Sequence, residues 1–247
     1  MNSVSRVDCC MLKPGLTRDH APYIAAFLAV LVLFIPSAEA AEEGDWLFRL
    51  GAMHFDPQSS SRPVTTPGSG ALGSSGVGFD ANSQVGLSLS YMLSNSWAVE
   101  ATMSAPFEHD LSISGLDAYG LNTNNLGEVK QVSPGLSALY YFGSPNSRFR
   151  PYLGAGFNYT TFFDDSLSTQ VRSELDAQGL ELDEHLAISA RAGFDFRLGN
   201  GWFLNASVWR MNIDTNASFD SRFGRISTYT EMDPWVYSIS VGHDLEW

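Results

Sequence analysis

Charged side chains of both signs recur at alternate positions of several segments in which the remaining positions are apolar. Seven of them share this pattern: Arg49, Glu100, Arg191, Asp195, Arg197, Asp244 and Glu246. A charge withdrawn from water needs a partner, so these side chains are expected to pair with one another or with water. Two interpretations follow. The favoured one is an ion network that stabilises the fold, and the other is a barrier that closes one end of a pore to ions.

Four large apolar residues share the same faces as these charges. They are Met53, Leu139, Trp209 and Met211, and glycine and serine occupy many of the neighbouring positions. Small residues leave space, and the large ones are placed to line or gate a hydrophobic passage. The alternative is that they simply fill the interior.

One local cluster combines residue types that hydrolases use: His109, Asp110 and Ser112. Catalysis needs a base oriented by a partner and a nucleophile within reach of that base, which this spacing alone does not provide. Gly154-Ala155-Gly156 lies inside a strand pattern with no helix after it, so it is no nucleotide loop. We therefore expect no enzyme, no cofactor and no metal site.

The elements that position these residues are strands. Arg148 to Phe163 alternates apolar and small or polar residues throughout, which is typical of a strand with two different faces. Eight such segments are predicted: Trp46–His54, Ser83–Tyr91, Trp97–Ala105, Gln131–Phe142, Arg148–Phe163, His185–Leu198, Trp202–Met211 and Trp235–Trp247. Their connections alternate between short turns and long polar loops. That alternation is typical of an up-and-down transmembrane β-barrel with short periplasmic turns and long extracellular loops.

The start of the chain has the pattern of a secretory signal peptide. Three basic residues precede an apolar run from Ile24 to Ile35, and the small-residue motif Ala38-Glu39-Ala40 follows. The run is shorter than the roughly 20 apolar residues that a spanning helix needs. We predict that residues 1–40 are cleaved and that residues 41–247 form the barrel.

The mature chain would lack cysteine, because Cys9 and Cys10 lie in the predicted signal. It would be strongly acidic, because three basic and three acidic residues are removed and the net charge stays at −13. An acidic surface does not suit nucleic-acid binding, and that class is excluded. An outer-membrane barrel and a periplasmic β-sandwich remain.

Aromatic residues decide between these two folds. Eight of them flank the short turns and the chain ends: Trp46, Tyr91, Trp97, Phe142, Phe149, Phe196, Trp202 and Trp247. In eight antiparallel strands they fall at one level, as an interfacial girdle does. A sandwich core has no need of such a ring, so the barrel is favoured. The last strand, with Gly242, Leu245 and a terminal tryptophan, also resembles the signal that the barrel-insertion machinery recognises.

Several runs resemble the OmpW family of eight-stranded outer-membrane proteins. They are YM…SWAVE…PFEH from Tyr91, FRPYLGAGFNYTTFFD from Phe149, WFLNASVWRMNIDT from Trp202 and DPWVYSISVG from Asp233. The resemblance implies a monomeric barrel in the outer membrane of a Gram-negative bacterium, in contact with lipid and lipopolysaccharide. It also implies passive passage of small apolar solutes. The alternative is a structural or surface-interaction barrel with a closed lumen, whose loops bind a partner.

If the ion network closes the lumen, an apolar solute has to leave sideways through the wall. Pro106, Pro134, Pro151 and Pro234 lie in or beside strands, where each removes a donor from the hydrogen-bond ladder. We therefore expect a weak seam near the outer edge of the barrel. An unbroken wall with an open axial pore would contradict this expectation.

Overall fold

The computed structural model describes residues 41–68, 70–73, 75–115 and 124–245. The predicted signal peptide, Glu246 and Trp247 lie outside these residues. Within them, the strands and the helix in chain order are β1 Trp46–Asp56, β2 Ser60–Ser61, β3 Thr65–Thr66, β4 Gly70–Ala71, β5 Gly76–Phe79, β6 Asn82–Met92, β7 Trp97–Ser104, β8 Phe107–Ser114, β9 Asn125–Val132, β10 Gly135–Tyr141, β11 Phe149–Leu167, α1 Thr169–Leu175, β12 Gln178–Leu182, β13 His185–Gly199, β14 Trp202–Met211, β15 Asp214–Ser221, β16 Gly224–Glu231 and β17 Trp235–Leu245.

Eight of these strands close into an antiparallel barrel. The order around the ring is β1, β6, β7, β10, β11, β13, β14 and β17, and β17 pairs with β1 along eleven residues to complete it. The remaining seams are antiparallel as well. The predicted eight-stranded up-and-down barrel is thereby confirmed.

Each barrel strand has one apolar outer face that is exposed and one inner face that is buried and carries polar, small and some large apolar residues. On β11, for example, Leu153 and Phe157 are exposed, whereas Tyr152 and Asn158 are buried. On β17, Ile239 is the most exposed large apolar residue of the described chain, at 72%. Apolar residues so exposed suit hydrocarbon rather than water, which gives the outer faces their role as a lipid-facing belt.

Short connections lie at the periplasmic end and long ones at the extracellular end. The tightest connection joins β13 to β14 through Asn200 and Gly201, which have φ values of 53° and 74°. Two successive left-handed residues form the turn that matches the twist of a two-residue hairpin, and asparagine followed by glycine tolerates it best.

The long connections contain strands that the sequence pattern does not indicate, and a short helix that the spacing within residues 164–183 permits. Strands β5, β8 and β9 continue the wall beyond the membrane belt, and β12, β15, β16, β3 and β4 form a second sheet in which β2 also pairs with β16. We call these segments together with α1 the extracellular head. Helix α1 begins after Ser168, whose side chain accepts a hydrogen bond from the Val171 amide. No helix in the described ranges is long and apolar enough to cross a membrane.

Candidate functional site

A buried ion network occupies the middle of the barrel. Arg49 of β1 lies 2.9 Å from Glu100 of β7 and 2.9 Å from Asp195 of β13, and Arg191 also pairs with Glu100. All four side chains are at most 7% exposed. We refer to Arg49, Glu100, Arg191 and Asp195 as the ion network. Its two positive and two negative charges balance, so the network neither concentrates ions of one sign nor leaves a charge unpaired.

Neutral polar groups complete the network. Arg49 donates to the Ser90 hydroxyl at 2.6 Å and to the Tyr141 hydroxyl at 2.7 Å. The Asn205 amide donates to Asp195 at 2.7 Å and to the Tyr152 hydroxyl at 3.0 Å. The sequence patterns assigned the charges to inward faces but did not include these neutral partners among the site residues.

Below the network, the periplasmic end is filled by a second layer. Arg197 and Asp244 form a separate ion pair at 2.5 Å. Arg150 donates to the backbone oxygens of Ala41 and Asn95 and stacks on Tyr141, which ties the start of the described chain to the barrel. Arg150 was not selected among the charged site residues, although its place on the polar row of its strand was a usable signal.

Leu139 belongs to this periplasmic layer. It packs in an apolar cluster that we call the periplasmic cluster: Ala41, Leu47, Met92, Ala98, Leu139, Tyr141, Tyr152 and Phe203. The other three apolar residues of the predicted lining, Met53, Trp209 and Met211, lie in a different cluster. The four residues therefore do not line one continuous surface.

That second cluster, the outer cluster, lies on the extracellular side of the ion network and continues into the head. Its barrel part includes Met53, Phe55, Trp209, Met211 and Val236. The two layers touch where the Arg191 guanidinium lies 4.2 Å from the centre of the Trp209 ring. The space left in the outer cluster is small. A cavity of about 20 Å³ remains, which is room for about one water molecule.

The wall beside this cavity is interrupted. The ladder between β7 and β10 ends at Thr102 and Gly135, and the ladder between β8 and β9 resumes at Phe107 and Gln131. We call the facing segments, residues 103–106 and 132–134, the slot. The neighbouring seams remain intact, because the Ala105 amide donates to Val85 and the Tyr159 amide donates to Pro134.

The cavity is lined by residues from both faces of the wall at the slot. Its lining includes Trp209 and Met211 from the inside and Met103, which is 52% exposed on the lipid-facing side. Ser104 and Ser133 line it from the two sides of the slot. Inward-facing and lipid-facing residues thus meet at this small cavity, beside the interrupted ladder.

Only two of the four prolines lie at this gap. Pro106 and Pro134 are in the slot itself. Pro151 pairs with Phe194 in a continuous ladder, and its carbonyl accepts a hydrogen bond from the Phe142 amide at 2.9 Å. The Pro234 carbonyl likewise accepts from Met211 at 3.2 Å. Only at the slot do prolines coincide with an end of the ladder between two strands.

The aromatic residues at the periplasmic strand ends face outward. The seven that the structure describes, at 36–53% exposure, are Trp46, Tyr91, Trp97, Phe142, Phe149, Phe196 and Trp202. Several are in contact around the barrel, as with Trp46 and Tyr91, whose ring centres are 4.9 Å apart. This position suits the boundary between hydrocarbon and headgroups.

His109 is separated from its sequence neighbours. Its side chain is buried among aromatic rings inside the head, whereas Asp110 and Ser112 are exposed on the other face of β8. Burial lowers the pKa of His109, with a smaller opposing effect from Asp80. The three residues therefore do not assemble a hydrolase site.

A cavity of about 390 Å³ lies along the exposed side of the same strands. Five carboxylates line it together with Lys130, whose amine lies 3.1 Å from Asp164. The hydrogen bond to Asp164 raises the pKa of Lys130. Among the residues that the structure describes, no group of histidine, cysteine, aspartate and glutamate is arranged to hold a metal ion.

Comparison with known proteins decides the family. The OmpW family model matches residues 42–245. The chain belongs to the OmpW family. Outer membrane protein W of Vibrio cholerae is 39% identical over 204 residues, which are 83% of this chain and 90% of that protein. OmpW-family proteins are outer-membrane barrels, and this chain is one of them.

Solved structures of related barrels show the same fold. The crystal structure of OprG from Pseudomonas aeruginosa superposes with a TM-score of 0.79 at 32% identity, covering 85% of this chain and all of that one. The structure of the outer membrane protein AlkL in lipid bilayers gives a TM-score of 0.65 at 20% identity, covering 87% and 96%, which shows the shared fold. An OmpW-family barrel of this kind is embedded in the outer-membrane lipid.

Proposed function

We propose that this protein is a passive outer-membrane channel for small hydrophobic molecules, which pass through the outer cluster and leave sideways through the slot. The observation that carries the proposal is the cavity at the slot, which is lined both by lumen-facing and by lipid-facing residues. The association of the OmpW family with passage of small hydrophobic molecules supports it.

The ion network supports the sideways direction. Its charged and polar groups fill the barrel between the two apolar clusters, and an apolar solute has no favourable contact to make among them. The outer cluster, by contrast, presents methionines, whose unbranched side chains rearrange readily. Movement of Met53 and Met211 would enlarge the present small cavity without breaking a hydrogen bond.

A disulfide across the slot tests the route. Thr102 pairs with Gly135, so the same register would place Ser104 opposite Ser133. We expect that the oxidised double variant Ser104→Cys and Ser133→Cys passes an apolar dye into liposomes no faster than empty liposomes do, and that reduction restores uptake. A matched control is Ser207→Cys with Ser238→Cys, two serines that pair in the intact seam between β14 and β17.

Uptake that continues through the oxidised slot variant would contradict sideways exit. Wild-type uptake no better than that of empty liposomes would contradict the channel altogether. The mature chain is expected to contain no cysteine, because both lie in the signal that we propose is removed, so the introduced pair reacts alone.

A second candidate function is a structural or surface-interaction barrel. It is favoured by the closed lumen and by the folded head, where the hairpin between β15 and β16 exposes Phe223 at its tip. Under this function the protein binds a partner at the head and transports nothing. The same liposome measurement distinguishes the two functions.

The remaining parts of the proposal concern export of the chain, its insertion into the membrane and its oligomeric state. We propose that the signal of residues 1–40 directs export, that the C-terminal strand engages the insertion machinery, and that the exposed head lies among lipopolysaccharide. We also propose that the barrel acts as a monomer, because all eight strands already close one ring.

A further inference from the structure

The side chain of Met53 borders two small cavities of the barrel interior. One is the cavity of about 20 Å³ at the slot, the slot cavity, which is lined mainly by apolar side chains of the outer cluster. The other, of about 10 Å³, is lined mainly by polar residues, among them Arg49, Ser88 and Arg191, and we call it the polar cavity. Met53 lines both. It therefore forms part of the partition between an apolar compartment and a polar one.

Another part of the partition is held in place by polar contacts. Trp209 lines the slot cavity and Arg191 lines the polar cavity, and the guanidinium lies 4.2 Å from the centre of the indole ring. The indole Nε1 also donates to the Ser207 hydroxyl at 3.0 Å. Within the described part of the chain, by contrast, the buried side chain of Met53 forms no hydrogen bond. Met53 can therefore rotate without loss of a polar contact.

A glycine on the neighbouring strand gives the thioether of Met53 its room. A Cβ atom placed at Gly86 of β6 would lie 2.5 Å from Cε and 2.7 Å from Cγ of Met53. These separations are too short for van der Waals contact, so a larger residue at position 86 would displace the thioether. The free space that borders it is that of the two cavities. Gly86 thus lets Met53 lie against the wall and keeps space open in the outer cluster.

We propose that Met53, seated against Gly86, sets the length of the apolar solute that the outer cluster accepts. A solute that extends inward from the slot reaches the thioether, and beyond it lie Arg49 and Ser88, whose polar groups offer an apolar chain no favourable contact. The preferred substrate class is therefore a compact apolar molecule. The inference deepens the proposed channel function and rests on it for delivery of the solute, but binding is measured separately from passage.

A homologous series of solutes measures this length limit. The n-alkylbenzenes from toluene to octylbenzene share one ring and differ only in the number of methylene groups. Their affinities are measured by titration calorimetry on the full-length protein in lipid nanodiscs, with empty nanodiscs as the background. Each methylene that the outer cluster buries should tighten binding about fourfold, and methylenes beyond the limit should add nothing above the background.

Two substitutions should shift the length limit in opposite directions. Met53→Ala removes Cγ, Sδ and Cε, so the limit should increase by about two or three methylenes. Gly86→Ala displaces the thioether into the neighbouring space, so the limit should decrease by about one methylene or more. In the double variant the added methyl group occupies space that the thioether has left, and the limit should return towards the wild-type value.

The matched control lies on the other side of the ion network. Leu139 and Gly154 form a pair of the same kind, because a Cβ atom at Gly154 would lie 2.5 Å from Cδ2 of Leu139 in the periplasmic cluster. Leu139→Ala removes a buried apolar side chain there and should leave the length limit unchanged. Assembly of each variant is checked by its shift on unheated gels. If Met53→Ala does not assemble, Gly86→Ala decides the question.

Two results would overturn the proposal: the same length limit in the wild type and in every assembled variant at positions 53 and 86, or an equal shift in Leu139→Ala. Flux of the same series into proteoliposomes is measured in parallel. A limit in binding that follows Met53, without any flux, would support the proposal and contradict the channel. Flux together with a limit that neither substitution changes would support the channel and contradict the role of Met53.

Discussion

The two halves of the barrel interior are closed by different kinds of contact. On the periplasmic side, the ion network and the Arg197–Asp244 pair hold charged groups in fixed directions. On the extracellular side, closure depends on apolar side chains beside an interrupted ladder. The first kind of closure opens only by separating buried charges, whereas the second opens by rotation of flexible side chains.

In the proposed channel, this difference would set a direction of passage. A solute that entered from outside would first meet side chains that can rearrange and then charged groups that are held in place. The proposed sideways exit lies just before the rigid layer, at the level where Arg191 covers Trp209. The proposed route would thus let a narrow barrel admit an apolar molecule while it stays sealed to ions.

Removing one charge from the rigid half should have the largest effect. In Glu100→Gln the shape is kept, but Arg49 and Arg191 lose the carboxylate that pairs with both. We expect the free energy of unfolding in urea to fall by about 3–5 kcal/mol, because a buried charge is left uncompensated. Unfolding is followed in detergent or lipid by the shift of the barrel on unheated gels.

The matched control is Glu108→Gln, which changes an exposed glutamate of the head and should alter stability by less than about 0.5 kcal/mol. If Glu100→Gln unfolds at the same urea concentration as the wild type, the network does not hold the periplasmic half together, and the contrast between the halves fails.

A substitution of similar volume in the adaptable half should have a smaller effect. Met211 is buried in the outer cluster without a specific polar contact from its side chain. We expect Met211→Leu to cost less than about 1.5 kcal/mol of unfolding free energy and to leave dye uptake near the wild-type value. A loss comparable to that of Glu100→Gln would show that the outer cluster is as rigid as the network.

The smallest effect should come from pH and should be confined to the head. The unfolded chain binds a proton at His109 near its ordinary pKa of 6.5, whereas burial lowers the pKa of the folded state. Stability contributed at this residue is therefore present at neutral pH and is lost as the pH falls below about 6.5 towards the folded-state pKa. Asp80, whose carboxylate lies 3.8 Å away, offsets part of the loss.

Hydrogen exchange of β8 checks this expectation. Between pH 7 and pH 5, after correction for the intrinsic rate, exchange should accelerate a few-fold in the wild type and less in His109→Phe. Exchange of β1, in the membrane belt, serves as the internal control and should not respond. An equal response in the variant would assign the effect to the carboxylates of the head instead.

The period-two pattern predicted the barrel well because lipid on one side and a packed interior on the other impose the same alternation on all eight strands. The strands of the head were not predicted, because short strands such as β2 and β4 contain only two residues each and are rich in serine and glycine. Such segments are ordered by their partners rather than by their own sequence.

The pattern predicted which face of a strand a residue occupies better than it predicted the height of that residue along the barrel axis. Leu139 and Trp209 both point inward, yet they belong to clusters on opposite sides of the ion network. The strands of a barrel are tilted and staggered, so the height of a residue depends on the register between neighbouring strands. The sequence of one strand does not contain that register. The neutral partners Ser90, Tyr141 and Asn205 were overlooked for a related reason, since only the folded network reveals which polar groups the charges require.

The prolines of the slot reduce the number of backbone amides that an interrupted ladder leaves unpaired in the membrane. A backbone amide without a partner is costly in hydrocarbon, which is why open sheet edges are avoided there. Two of the seven residues that form the slot, Pro106 and Pro134, carry no amide hydrogen, and Ala105 donates across its intact seam to Val85. The same prolines deprive a neighbouring strand of a regular edge to pair with. The proposed exit for a small solute would therefore not be an edge to which another protein chain could add a strand.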